Sequence, residues 1–195
     1  MASLEHLALA PLAAGEVAGL AALWPKPSAT MAVQVVEPMH VLSLRHLAGG
    51  GDTVLAAALA THALPRLPQP GSYGGREPRL IWCSPNETLL LMQDAARAAA
   101  LLAALRPAAG ALACALDRSA GSLVVTLQGH EVEALMARLV DAQALPRRAG
   151  QATRLRLADI AAVVWRDAPD QAGLLVDRAH AHYLAGWIRY AAEAI

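Results

Sequence analysis

The sequence predicts an α+β fold of antiparallel sheets with packed helices, built as two pseudo-repeated halves. Three observations carry this. Short alternating or wholly apolar runs recur along the chain, bounded by Gly, Pro, Asn and Asp. Each half sets such runs in pairs and follows them with an Ala/Leu-rich or amphipathic helix. The 195 residues suit one domain or two joined lobes, enough to bury a core without disulfide or metal staples.

Taken in order, residues 1–24 are rich in Ala and Leu but broken by Pro11, Gly15 and Gly19, and they end at Trp24-Pro25-Lys26-Pro27, where two prolines stop any helix. Residues 1–30 read as an arm with no core of its own, and 31–195 as the single domain. Leaving Leu4, Leu7, Leu9, Leu12, Leu20, Leu23 and Trp24 in water rather than buried costs about 1.5–3 kcal/mol each. Part of the arm is therefore expected to pack on a partner subunit; the alternative is that it folds back over its own sheet. Strands are predicted at 32–37 and 40–45, then a turn at Gly49-Gly50-Gly51 and a helix over 53–63 capped by Asp52 or Thr53. The Pro/Gly-rich stretch from Leu64 to Gly75 reads as a long surface excursion. Arg79–Cys83 and Glu87–Met92 form a hairpin about Ser84-Pro85-Asn86.

Asp94 caps a helix through Arg106 whose only interior charge is Arg97, so it is expected to be covered on more than one side. In the second half, 111–116 and 123–128 read as strands joined by a Gly121-Ser122 turn. A helix over 130–140 follows, with Val132, Leu135, Met136 and Leu139 on one stripe. Strands near 153–157, 160–166 and 173–177 precede a last helix over 179–194, whose stripe of His180, Tyr183, Leu184, Trp187, Ile188 and Ala191 reads as its packing face.

Composition limits the function. Lys plus Arg and Asp plus Glu each number 16, so the net charge is zero and nothing favours a phosphate backbone; nucleic acid is not an expected partner. Apolar residues make up 56% and charged residues 16%, a chain suited to a partner more than to life as a lone monomer. The 46 alanines, and 15 arginines against the single Lys26, fit a GC-rich genome. No apolar run reaches the ~20 residues of a membrane span, and no cation precedes Lys26 to form a signal peptide's basic region. The expected location is the cytoplasm, where Cys83 and Cys114 are buried, unpaired thiols.

No catalytic or binding constellation emerges from the residues themselves. His180 and His182, two apart on a helix, point to different faces and cannot share a metal. His130-Glu131-Val132-Glu133 lacks the HExxH spacing, and His40, His46 and His62 have no ligand neighbours in sequence. The runs Gly49–Gly51 and Gly71–Gly75 match no phosphate loop, and no GxSxG frames a serine. Asp117 and Ser119 flank Arg118 with no histidine placed beside them. Catalytic, cofactor-binding and metal residues are all expected to be none.

Several stretches together resemble a known family. Residues 79–92, RLIWCSPNETLLLM, resemble the LWLGPDEWLL hairpin of the gamma subunits of heterotetrameric sarcosine oxidase. Leu116-Asp117-Arg118-Ser119 is similar to that family's VDVS, Leu127-Gln128-Gly129-His130 to its LSGP, and Gly150 through Arg156 to its TRL segment. Val176-Asp177-Arg178-Ala179-His180-Ala181-His182-Tyr183-Leu184 with Trp187 is similar to VxRSFAxYLxxWL. The likeness runs from about residue 40 to 194. It departs at Ser84, Asn86 and Thr88 in the hairpin, and at Ala179 and His180 where the family has Ser and Phe.

The resemblance implies the aminomethyltransferase folate-binding fold and a non-catalytic structural role in a flavin-dependent sarcosine oxidase type complex. It further implies alpha and beta subunits carrying FAD, FMN, NAD and tetrahydrofolate, and a zinc-bearing delta subunit. The paired-aspartate motif of the wider aminomethyltransferase-related group is replaced here by Leu157-Ala158-Asp159-Ile160, so folate chemistry is not expected of this chain. The alternatives are a stand-alone folate-binding aminomethyltransferase-like protein and a generic interaction module.

Overall fold

The computed structural model describes residues 22–25, 28, 30–36, 39–108, 110–141, 143–193 and 195. The arm residues Leu4, Leu7, Leu9, Leu12 and Leu20 lie outside them. The elements are β1 (Ala32–Val35), β2 (His40–His46), α1 (Gly51–Thr61), β3 (Tyr73–Gly74), β4 (Arg79–Ser84), β5 (Glu87–Met92), α2 (Ala95–Ala104), β6 (Ala113–Asp117), β7 (Ser122–Gln128), α3 (Val132–Leu139), β8 (Ala152–Leu157), β9 (Ile160–Ala168), β10 (Gln171–Asp177) and α4 (Ala181–Ala192). They make an α+β structure with two antiparallel sheets.

Sheet I runs β3-β4-β5-β2-β6 and sheet II runs β1-β7-β10-β9-β8. Period-two alternation sends successive side chains to opposite faces. Leu42, Leu44, Leu80 and Leu90 meet Leu55, Leu59, Leu101 and Leu105 of the α1 and α2 region. Leu123, Val125, Leu174 and Val176 meet α3 and α4 through Leu135, Met136, Leu184 and Ile188. The faces left over meet each other: Val41, Ile81, Leu89 and Leu91 of sheet I pack on Val124, Val163, Trp165 and Leu175 of sheet II. The result is a helix–sheet–sheet–helix sandwich.

Both halves follow one plan. Sheet I contains β2-α1-β4-β5-α2-β6 in the order β4-β5-β2-β6, a split βαβ unit. Sheet II contains β7-α3-β9-β10-α4 in the order β9-β10-β7, and β1 from the start of the domain fills the place that β6 takes in sheet I. β3 and β8 each add one outer strand.

Several expectations are corrected. The strands β6 and β7 are not a hairpin: they belong to different sheets, and Arg118–Gly121 carries the chain from one to the other. Helix α1 starts at Gly51 behind Gly50, whose φ of 116° no other residue adopts easily, so neither Asp52 nor Thr53 caps it. The α2 helix buries only Ala98 and Leu101, and its alanine-rich far side is exposed. Small side chains let it stay amphipathic by position without a polar face. Arg97 donates to the His62 and Ala63 carbonyls at the end of α1, which ties the two helices together.

The Pro/Gly stretch is no free excursion. Ser72 bridges Gln151, Tyr73 N–H donates to the Gly150 carbonyl, and Ala152 N–H donates to that of Gly71, so the loop stitches sheet I to sheet II. Trp24, expected against a partner, is only 6% exposed and sits in the core under α3 and α4, with Leu23 beside it. A bulky indole finds more area to cover there than a short broken arm offers elsewhere.

Candidate functional site

Two polar clusters close the two ends of the gap between the sheets. At one end, Asp167 of β9 accepts from Tyr73 Oη at 2.6 Å and Trp165 Nε1 at 3.1 Å, and pairs with Arg79 at 2.8 Å. The Arg79 guanidinium lies 4.6 Å from the Tyr73 ring centre and 5.1 Å from that of Trp165. A planar cation over two aromatic faces and beside a carboxylate is a rigid clamp. Burial, then the Asp167 hydrogen bond and charge, push the Tyr73 hydroxyl's pKa up, so it donates and stays neutral.

At the other end, Glu87 of β5 points into the gap and is only 8% exposed. Its carboxylate accepts from Ser43 Oγ at 2.6 Å, and pairs with Arg45 at 3.5 Å and Arg154 of sheet II at 3.4 Å. Burial works against its ionisation. The Ser43 hydrogen bond and the charges of Arg45, Arg154 and Arg118 outweigh that and hold its pKa below the usual carboxylate value. Cys83 lies nearby; burial and then the Glu87 charge push its thiol up to about 11. Glu87 separates two cavities. One, of about 460 Å³, opens beside β2 and β6 and is lined by Arg45, His46, Asn86, Leu112 and Cys114. The other, of about 170 Å³, lies between the sheets under Arg118, Arg154 and His180.

The arrangement holds Glu87 as a charged, hydrogen-bonded carboxylate and Cys83 as a protonated thiol. Among the described residues, no three metal-ligating side chains gather.

A third feature lies outside the sandwich. The predicted packing stripe of α4 splits into two. Ala181, Leu184, Ala185, Ile188 and Ala191 are buried against sheet II. Tyr183, Trp187 and Tyr190 point outward, 44%, 41% and 68% exposed, with edge-to-face ring contacts at 6.3 and 5.9 Å. They stand at i, i+4 and i+7 and, with His182 and Gly186, frame a shallow apolar hollow of about 440 Å³. The buried stripe is offset from the predicted one because alanines, not aromatics, let α4 approach the sheet.

The motifs singled out in the sequence take structural roles. Asp117 accepts from Ser119 N–H at 2.8 Å and from its hydroxyl, while Ser119 Oγ accepts from Val41 N–H, which fixes the crossing between sheets. Asp177 accepts from Ala179 N–H and opens the turn into α4. His180 and His182 are both exposed, while Cys114 is only half-buried at the cavity mouth rather than fully buried. The sequence by itself did not mark out Glu87, Arg154, Asp167 or Tyr73. One signal was there: Glu87, Leu89 and Leu91 alternate on one strand face, so an acid shares the inner side of a buried strand.

No family model and no curated protein matches this sequence. Its fold does match solved structures. A chain of heterotetrameric sarcosine oxidase from Corynebacterium sp. U-96 superposes with a TM-score of 0.73 and 24% identity, over 91% of each chain. Glycine cleavage system aminomethyltransferase T from Bartonella henselae superposes with a TM-score of 0.57 and 15% identity, over 88% of this chain but 48% of that one. This chain thus spans about half the length of the aminomethyltransferase and nearly all of the oxidase chain, and it has the fold that the two share.

Proposed function

We propose that this chain is a gamma-type, non-catalytic subunit of a flavin-dependent sarcosine oxidase type complex. The observation that carries the reading is the two-way coverage of 91% with a chain of a heterotetrameric oxidase. The described fold corresponds to nearly the whole of one chain of such an assembly, whereas it matches only about half of the aminomethyltransferase. The ionised, fully occupied Glu87 and the protonated Cys83 support a structural role. In this reading, alpha, beta and delta subunits carry FAD, FMN, NAD, tetrahydrofolate and zinc. The assembly oxidatively demethylates sarcosine or a related secondary amine, passes the one-carbon unit to tetrahydrofolate and reduces dioxygen to hydrogen peroxide.

The test is tagged purification of the full chain from its own cells. Stoichiometric recovery of flavin-containing large subunits with sarcosine-dependent peroxide release is the expected result. A chain that carries no flavoprotein with it, or that alone binds tetrahydrofolate tightly by calorimetry, overturns the reading in favour of a stand-alone folate-binding protein.

A further inference from the structure

We propose that the cavity of about 460 Å³ beside β2 and β6 binds a small organic monoanion, a carboxylate with an apolar body. The register of sheet I shows why the cavity exists. Arg45 faces Glu87 of β5 on one side and Cys114 of β6 on the other, so the three side chains stand on one face of the sheet, the face turned toward sheet II. Among the described residues, the buried layer between the sheets takes side chains from β2, β4 and β5 but none from β6. Past Glu87 this face is left uncovered. The pairing of β2 with β6 continues there through the Leu47 N–H and the Leu112 carbonyl, and the two leucine side chains at the cavity wall are 58% and 40% exposed.

Polar and apolar groups are sorted across the cavity. Ser84 and Asn86 lie toward β5, Leu112 and Ala113 toward β6, and Arg45 and His46 stand between. The Arg45 guanidinium is already anchored, with Nε 3.3 Å from Ser43 Oγ and Nη2 3.5 Å from Glu87 Oε1. Its Nη1 makes no such bond to the described residues, which leaves one edge of a positioned cation for a ligand oxygen. The His46 ring serves no hydrogen bond of the described fold either, and its Nδ1 is without a partner. Arg45 is the one arginine in the wall, and Glu87 is the one acid. One cation suits one negative charge, and a second charge on the ligand would meet the Glu87 carboxylate. The volume falls in the ~300–1,000 Å³ range of small-molecule sites, and Leu47 and Leu112 offer the ligand's body an apolar wall. The site lies wholly in this chain and does not depend on an oxidase assembly.

Phenylbutyrate is the probe that tests it, with phenylbutanol as the uncharged counterpart. In proton–nitrogen NMR spectra of the full chain, phenylbutyrate is expected to give saturable shifts at the amides of residues 45–47, 86 and 112–114. Phenylbutanol is expected to bind about tenfold more weakly, for want of the charge that Arg45 recognises. Leu112→Glu adds a carboxylate to the wall and is expected to weaken phenylbutyrate by about tenfold as well. Leu112 joins the sheet through its backbone, so that variant is expected to fold, which circular dichroism checks. Tyr190→Ala, on the aromatic face of α4, is expected to bind as wild type. The absence of saturable shifts, shifts centred on α4, an alcohol that binds as tightly as the acid, or a folded Leu112→Glu protein with undiminished affinity overturns the proposal. As a second measurement, saturating phenylbutyrate is expected to slow alkylation of the half-buried Cys114 by N-ethylmaleimide, because the thiol lines the same cavity. An unchanged rate of labelling counts against the site in the same way.

Discussion

Glu87 shows how one side chain joins the halves of the molecule. Its Oε1 meets Ser43 and Arg45 of sheet I, and its Oε2 meets Arg154 of sheet II. An acid buried this deeply is tolerable only because hydrogen bonds and cations return what water would have given. Both arginine side chains are about half exposed, so solvent screens part of the pairing, and the loss in Glu87→Gln is expected to be about 1–2 kcal/mol at pH 7. The pH dependence has a definite sign. The folded-state pKa of Glu87 lies below its unfolded value. Its charge therefore stabilises the fold above the unfolded pKa of about 4.3, and that contribution fades as pH falls through the lower, folded value. Urea midpoints of wild type and Glu87→Gln should differ at pH 7, and the gap should narrow as pH falls below the unfolded value. A gap that persists undiminished in acid would show that shape, not charge, is what the carboxylate supplies.

Strand β10 makes a comparable point among the elements. Gly173 faces Trp165 directly across the β9–β10 pair, and a β-carbon at Gly173 would run into the indole ring. The strand gives up a side chain there so that Trp165 can lie flat and reach Asp167. Gly173→Ala is expected to destabilise by about 1–3 kcal/mol through this overpacking and to shift tryptophan fluorescence. Gly121→Ala, with nothing near its added carbon, is the matched control and should unfold like wild type. A Gly173→Ala protein as stable as the control would mean that the ring moves aside freely. The β4–β5 hairpin, α3 and the last three strands were legible in the sequence because apolar spacing and turn residues are local. The burial of α2 and α4 was not. In helices this rich in alanine the spacing marks a stripe, but which side meets the sheet depends on how closely the sheet comes.

The whole molecule depends on pairings that no local pattern encodes. The repeat of strands and helices is visible in the sequence, and the α+β architecture follows from it. The placement of β1 beside β7, and the passage from β6 in one sheet to β7 in the other, rest on contacts between residues about 90 positions apart, such as Val33 with Leu127. The candidate site was hidden for the same reason: Glu87 and Arg154, or Tyr73 and Asp167, look like isolated polar residues until the sheets stack. That stacking also sets how the protein unfolds. If each half relied on its own helices alone, the two would melt separately. Instead Val41, Ile81, Leu89 and Leu91 share one buried layer with Val124, Val163, Trp165 and Leu175, and the Asp167 and Glu87 clusters clamp its ends. Opening either sheet exposes the inner face of the other, so the halves should open together. Amides in β5 and β10 are then expected to exchange hydrogen with one common opening free energy. Ile81→Val, which removes one buried methylene from sheet I, should lower that energy by about 0.5–1.5 kcal/mol in both strands. A loss confined to β5, with β10 unchanged, would mean that each half is stable by itself and that the layer between them is only a contact.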